Sequence, residues 1–198
     1  MTRPRIVVMA GSSRRDSLAR RLARACVEPL SQAGAAVEPI ELGDYPMPLY
    51  NGDLERESGL PEAAAALQRK LYASDGLLVV NPEYNGSITP LLKNTLDWCS
   101  RPDPQDEPHS GGAVFAGRAA AVLATSPGPM GGNRVLFHIR DILGYLGMHV
   151  VPQQLGVGNA GSAFADDGRL SDERQRRMLE AALRSLAQTA VRLAPESR

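Results

Sequence analysis

The sequence lacks any apolar run near the roughly 20 residues that a membrane span requires, so no spanning helix is expected. Its first apolar run, Ile6 to Ala10, is too short for a secretory leader and reads better as a strand. Cysteine is scarce: Cys26 and Cys99 form neither a disulfide framework nor a metal set, and fit two reduced, buried thiols of a cytoplasmic protein. Net charge is missing too, because Lys plus Arg and Asp plus Glu both total 22. That argues against the strong positive field of a nucleic-acid protein and against the acidic surface of an electron carrier that docks basic partners. His109, His138 and His149 match no metal-ligand or catalytic-triad spacing. No GxxxxGK[ST] phosphate loop, internal repeat or low-complexity tract occurs.

What is present is a chain of 198 residues, 43% hydrophobic and 22% charged, enough for one domain with a sizeable core. Apolar runs at Arg5–Ala10, Val37–Leu42, Gly76–Val80, Arg118–Thr125 and Met148–Val151 read as strands. Helical spacing fills the intervals: Ser17 to Gly34 with Ser17 as N-cap, Leu60–Ala73, Thr89–Cys99, Val135–Leu146, and a last helix from Ser171 to about Leu193. Pro29 is expected to kink or end the first of these. Alternation of five strands with five helices implies an α/β fold, a parallel sheet covered on both faces with right-handed crossovers. The length suits the flavodoxin-like three-layer sandwich, strand order 2-1-3-4-5, as a single domain over 1–198. Two connections, Gly43–Gly59 and Pro102–Gly112, read as loops, the second exposed.

Three strand-to-helix corners fall on one edge of such a sheet, where open α/β sheets bind ligands. The first is GSSRRDS, at Gly11–Ser17. Amides at a helix start favour an anion, Ser12 and Ser17 add hydroxyls, and Arg14 adds a planar charged fork. The same residues could equally be a capped helix with a solvated basic loop. The second is PEYNG, Pro82, Glu83, Tyr84, Asn85 and Gly86, whose proline stiffens the chain, whose glycine allows close approach, and whose tyrosine offers a flat face. The third is SPGPMGG, Ser126–Gly132, with glycine amides. A phosphate at the first corner and a planar ring across the other two describe bound FMN. A GxGxxG at Gly156, Gly158 and Gly161 follows the last strand, opens no βαβ unit, and reads as a surface loop.

These motifs resemble the NADPH-dependent FMN reductase family, flavodoxin-like enzymes that include quinone, chromate and azo reductases. The resemblance runs from about Arg5 to Leu193 and is densest in PEYNGSITPLLKNTLDWCSRP, Pro82–Pro102, against the family's PEYNGSxPxxLKNxxDWxSR. Thr89 stands before Pro90 here, a minor shift. The family's GSxRxxSxN is met at Gly11, Ser12, Arg14 and Ser17, but its terminal Asn is Ala19, which removes one polar side chain near the phosphate and implies weaker FMN binding. SPGxxGGxR is met from Ser126 to Arg134.

The resemblance implies phosphate contacts from Ser12, Arg14, Ser17 and the amides of Leu18 and Ala19. It implies isoalloxazine and ribityl contacts from Pro82, Glu83, Tyr84, Asn85 and Gly86, completed by Ser126, Gly128, Gly131 and Gly132. Arg134 belongs either to that site or to the helix it begins. The implied activity passes hydride from NADPH (or NADH) through FMN to a small-molecule electron acceptor: a quinone, free flavin, azo compound or metal oxyanion. The cofactor carries the chemistry, so no side-chain acid or base is expected, and Glu83 reads as a turn residue. A flavodoxin-type carrier and an FMN-free relative are the rival readings. The family also implies a homodimer or homotetramer, with Leu96, Trp98 and the Pro102–Gly112 loop as interface elements unless Trp98 is simply core.

Overall fold

The computed structural model describes residues 3–194. Five strands, β1 (Arg5–Ala10), β2 (Ala36–Ile40), β3 (Gly76–Pro82), β4 (Ala119–Thr125) and β5 (His149–Val157), form one parallel sheet. Their order is β2-β1-β3-β4-β5, as expected. The central strands β3 and β4 are buried almost throughout, which is why they read as unbroken apolar runs. Six helices accompany them: α1 (Leu18–Gln32), α2 (Gly52–Ser58), α3 (Glu62–Tyr72), α4 (Pro90–Cys99), α5 (Asn133–Tyr145) and α6 (Glu173–Leu193).

Strand alternation divides the core in two. Ile6, Val8, Leu78, Val80, Ala121 and Leu123 pack under α1 and α6. Val7, Met9, Leu77, Val79, Val122 and Ala124 pack under α3, α4 and α5. Ser17 caps α1, its side chain accepting from the Arg20 amide at 3.3 Å.

Four expectations change. Pro29 lies inside α1 without ending it: the amide it removes belongs to the last turn, and the Pro29 carbonyl still accepts from Ala33. The Gly43–Gly59 connection is not featureless, since it holds α2, capped by Asn51. That segment is fastened to α4 through Asn94, which accepts from the Tyr50 amide at 2.7 Å, and through the Trp98 indole, which donates to the Pro48 carbonyl at 2.8 Å. Trp98 and Leu96 are buried within the chain, so Trp98 is core and not interface. Finally, β5 runs well past Val151, to Val157. Its register slips between the pairs Ala120–Val150 and Val122–Gln154. An edge strand tolerates Pro152 there, and Arg140 of α5 donates to the Val151 carbonyl at 2.7 Å.

Both cysteines are free and fully buried. Desolvation pushes the Cys26 thiol far above its ordinary range and Cys99 up to about 12. Native protein at pH 8 should therefore resist alkylation by iodoacetamide while the denatured chain takes two labels. A native thiol labelled within minutes would contradict this packing.

Candidate functional site

At the C-terminal ends of β1, β3 and β4 the chain opens a cleft of about 480 Å³. Ser12, Arg14, Asp16, Ser17 and Leu18 line it from the first corner, Pro82, Glu83 and Tyr84 from the second, and Thr125 and Pro127 from the third. Seven of the residues expected to bind the cofactor thus meet in one crevice.

The first corner leaves helix-start amides unpaired. The first intrahelical backbone bond of α1 runs from the Arg21 amide to the Ser17 carbonyl. The Leu18 and Ala19 amides precede it and remain outside the helical ladder. The Arg14 guanidinium has no side-chain partner among the described residues, whereas its carbonyl accepts from Ser17 and Arg20. The Ala19 side chain is fully buried in the core under α1, so this position contributes its amide and not a side chain.

The second corner is a two-residue hairpin. Tyr84 and Ser87 exchange both backbone hydrogen bonds at 3.0 Å, and Asn85 and Gly86 have φ of 50° and 77°. That is the pairing expected of an Asn-Gly type I′ turn, a signal the sequence carried and the reading of Gly86 as a site of close approach overlooked. Asn85 and Gly86 therefore form the tip of the hairpin and do not line the cleft; Tyr84, at its base, does.

Glu83 ties this corner to the third. Its Oε2 accepts from the Arg134 and Val135 amides at 3.0 and 3.2 Å, and Oε1 meets the Arg134 guanidinium at 3.4 Å. The N-cap of α5 is Gly132, which has no side chain to cap with, so a carboxylate from another loop does the work. Arg134 is accordingly a helix residue that holds Glu83. One turn later, His138 Nδ1 lies 2.9 Å from Ser87 Oγ, which pins the hairpin a second time.

Ser126, Gly128, Gly131 and Gly132 reach the same edge without lining the cleft. The Gly128 amide donates to Ser126 Oγ at 3.1 Å. Gly131 and Gly132 are buried, and a Cβ on Gly131 would stand 2.6 Å from the Gly156 carbonyl carbon. The supposed surface GxGxxG is thus partly structural: Gly156 belongs to β5, and a Cβ on Gly158 would meet the Pro129 carbonyl oxygen at 2.2 Å. Gly161 faces open space.

Beneath the cleft lies a buried polar knot. Thr89 Oγ1 donates to the Gly11 carbonyl at 2.7 Å, lies 3.2 Å from Asn81 Oδ1, and accepts from the Leu92 amide, capping α4. Asn81 is fully buried and donates to the Pro82 carbonyl at 2.7 Å. A Cβ on Gly11 would stand 1.6 Å from Asn81 Oδ1, so only glycine fits. Thr89 is therefore no minor shift but the junction of two corners. Sequence reasoning also missed Thr125 and Pro127. The available signal was a polar residue closing an apolar strand at the ligand edge, which describes both Asn81 and Thr125.

Residues 4–162 match the sequence model of the NADPH-dependent FMN reductase family. The chain belongs to that family. It is similar to a quinone reductase of Pseudomonas putida, 36% identical over 169 residues and covering 85% of each chain. An NADPH:quinone oxidoreductase of Arabidopsis thaliana is 34% identical, over 96% of this chain and 93% of that one. Among solved structures, the flavoenzyme NAD(P)H:(acceptor) oxidoreductase FerB from Paracoccus denitrificans superposes with a TM-score of 0.80 at 27% identity, covering 96% of this chain and 98% of that one. The protein is a flavodoxin-like flavoprotein oxidoreductase that works with FMN and a reduced nicotinamide. No helix among the described residues is long and apolar enough to cross a membrane.

The Glu83 clamp generates a prediction. Glu83→Ala should cost about 1–2 kcal/mol in urea unfolding, the loss of a helix cap, and should weaken FMN binding through the loosened hairpin. Glu83→Gln keeps an acceptor oxygen and should recover most of both. Wild-type stability in Glu83→Ala would show that the clamp holds nothing.

Proposed function

We propose that this chain is an FMN-dependent NAD(P)H:quinone oxidoreductase acting as one unit over its whole length. The observation that carries this reading is the lining of the cleft. It is lined at one end by Ser12, Arg14, Ser17 and Leu18 and at the other by Pro82, Tyr84 and Pro127. A phosphate suits the first end and a planar ring the second. The relatives named for quinone reduction support a quinone as acceptor, and Tyr84, 44% exposed, offers a ring face at the rim. When bound, FMN supplies a two-electron centre that takes hydride from NAD(P)H and returns it to the acceptor.

The protein's part is positional. Arg14, Ser12, Ser17 and the Leu18 and Ala19 amides would hold the phosphate. Pro82, Glu83 and Tyr84 would set the plane of the ring, with Asn85 and Gly86 maintaining the hairpin and Ser126, Gly128, Gly131 and Gly132 shaping the opposite wall.

The test is direct. Purified protein supplied with FMN, NADPH and a benzoquinone should oxidise NADPH without a separate reductase, giving parallel double-reciprocal plots. Turnover that requires an added reductase would favour an electron carrier instead.

We further infer that the protein is a homo-oligomer and cytoplasmic. The two reduced thiols and the nicotinamide cofactor support the compartment. For the oligomer, the face of α4 and α5 carries Phe137 and Tyr145, 61% and 91% exposed. It also carries a groove of about 440 Å³ between Leu96, Ile142 and Leu146, flanked by Lys93, Asp97 and Asp141. Apolar centre and mixed-charge rim suit a self-complementary contact. Tyr145→Glu should lower the mass found by light scattering to that of one chain. An unchanged mass would place any interface elsewhere.

A further inference from the structure

The sequence holds six asparagines: Asn51, Asn81, Asn85, Asn94, Asn133 and Asn159. An asparagine cyclises when the next backbone nitrogen attacks its side-chain carbonyl carbon. A hydrogen bond on either group holds the reaction back, because it must first be broken. At five positions one of the groups is committed or missing. Asn51 Oδ1 caps α2, accepting from the Asp53 amide at 2.8 Å. Asn81 is fully buried, and Pro82 after it has no N–H. Asn94 is held at both ends, accepting from the Tyr50 amide and donating to the Pro48 carbonyl. After Asn133, the Arg134 amide donates to Glu83. After Asn159, the Ala160 amide donates to the Ser126 carbonyl at 3.0 Å.

Asn85 differs in every respect. It is exposed at the tip of the hairpin, and the residue after it is Gly86, whose nitrogen no side chain screens. Tyr84 and Ser87 bond to each other around the turn. Neither the Asn85 carboxamide nor the Gly86 amide has a hydrogen-bond partner among the described residues. Asn51 supplies an internal comparison. It too is exposed and followed by a glycine, Gly52, but its side chain is occupied in capping.

We propose that Asn85 is a site of spontaneous deamidation, and that its product loosens the hairpin at the rim of the cleft. The Gly86 nitrogen bonds to Asn85 Cγ and gives up its proton. The side-chain nitrogen leaves as ammonia, and a cyclic succinimide remains. Solvent water then opens the ring at either carbonyl, and nothing is oxidised or reduced. One opening gives aspartate and leaves the main chain as it was. The other gives isoaspartate, in which the main chain runs through the side-chain carbon. Isoaspartate inserts a methylene between two residues that the turn holds at φ of 50° and 77°, so the two-residue pairing no longer closes. Tyr84 is then parted from Ser87, the residue on which His138 pins the hairpin. The effect on FMN rests on the flavin reading above; the chemistry at Asn85 does not.

The experiment ages wild type and Asn85→Gly side by side in warm, mildly alkaline buffer. Peptide mapping, differential scanning fluorimetry and FMN titration follow both. Glycine suits the positive φ of the turn and removes the reacting carboxamide. In wild type, isoaspartate should form at position 85 about tenfold faster than at position 51, the factor set by one hydrogen bond. As it accumulates, the melting temperature should fall by about 2–4 °C, and the FMN dissociation constant should rise about tenfold as the hairpin loses its preorganisation. Asn85→Gly should keep its own starting values over the same period. Equal rates at the two positions, an Asn85 that stays intact, an unchanged FMN dissociation constant in the isoaspartate form, or the same melting loss in Asn85→Gly would each overturn the proposal. Fresh wild type that binds no FMN would overturn the flavin reading instead, with the mapping and melting results still deciding the fate of Asn85.

Discussion

The architecture at the ligand edge depends on one buried hydroxyl. Thr89 Oγ1 holds the Gly11 carbonyl, touches Asn81 and caps α4. Through it the loop that starts α1 and the loop that starts α4 become a single body. Buried polar groups are tolerated only when satisfied, and when satisfied they admit few alternative arrangements. The Ser12–Leu18 end and the Pro82–Tyr84 end of the cleft are therefore at a fixed spacing. Gly11 completes the knot by being absent as a side chain, since Asn81 Oδ1 occupies the space where a Cβ would stand.

Glu83 extends the same principle to the third corner. A carboxylate at a helix start gains from both the free amides and the helix dipole. Here it comes from a different loop, so capping and inter-loop bracing are one interaction. Opposite, the backbone of Gly131 lies against Gly156 and that of Pro129 against Gly158. Three loops, which would ordinarily be the most mobile parts of an α/β protein, are fastened to one another, and Tyr84 sits at the base of a hairpin braced by Glu83 and Ser87.

The strand order, the capped start of α1 and the convergence of three corners were legible in the sequence because each has a local cause. Apolar runs, Ser17 before a periodic stretch, and glycine-rich turns after strands all act within a few residues. What was not legible depends on partners distant in the chain. The capping role of Glu83 needs α5, 51 residues away. The length of β5 needs the Arg140 contacts that absorb its register slip around Pro152. The GxGxxG pattern looked like a free loop because periodicity cannot show that Gly131 lies against it. Thr125 was legible as a polar residue closing an apolar strand, but its place in the cleft appears only once the three corners are assembled.

On the proposed flavin reading, the way the three helix starts are treated also favours one orientation of the mononucleotide. α4 begins with Pro90, which has no N–H, and Thr89 satisfies Leu92. α5 follows its N-cap Gly132, and Glu83 occupies the Arg134 and Val135 amides with a negative charge. Neither start offers much to an anion. α1 differs: Ser17 takes only the Arg20 amide, Leu18 and Ala19 keep theirs, and Arg14 adds an uncommitted cation. Anions are stabilised at helix N-termini when amides remain to meet them, so of these three neighbouring starts α1 is the one that suits the proposed phosphate. A ligand anchored there has to extend its ring toward Pro82 and Tyr84, and the reverse orientation would place the phosphate beside the Glu83 carboxylate. On the proposed flavin reading, the polarity of binding follows from which helices the protein has already capped.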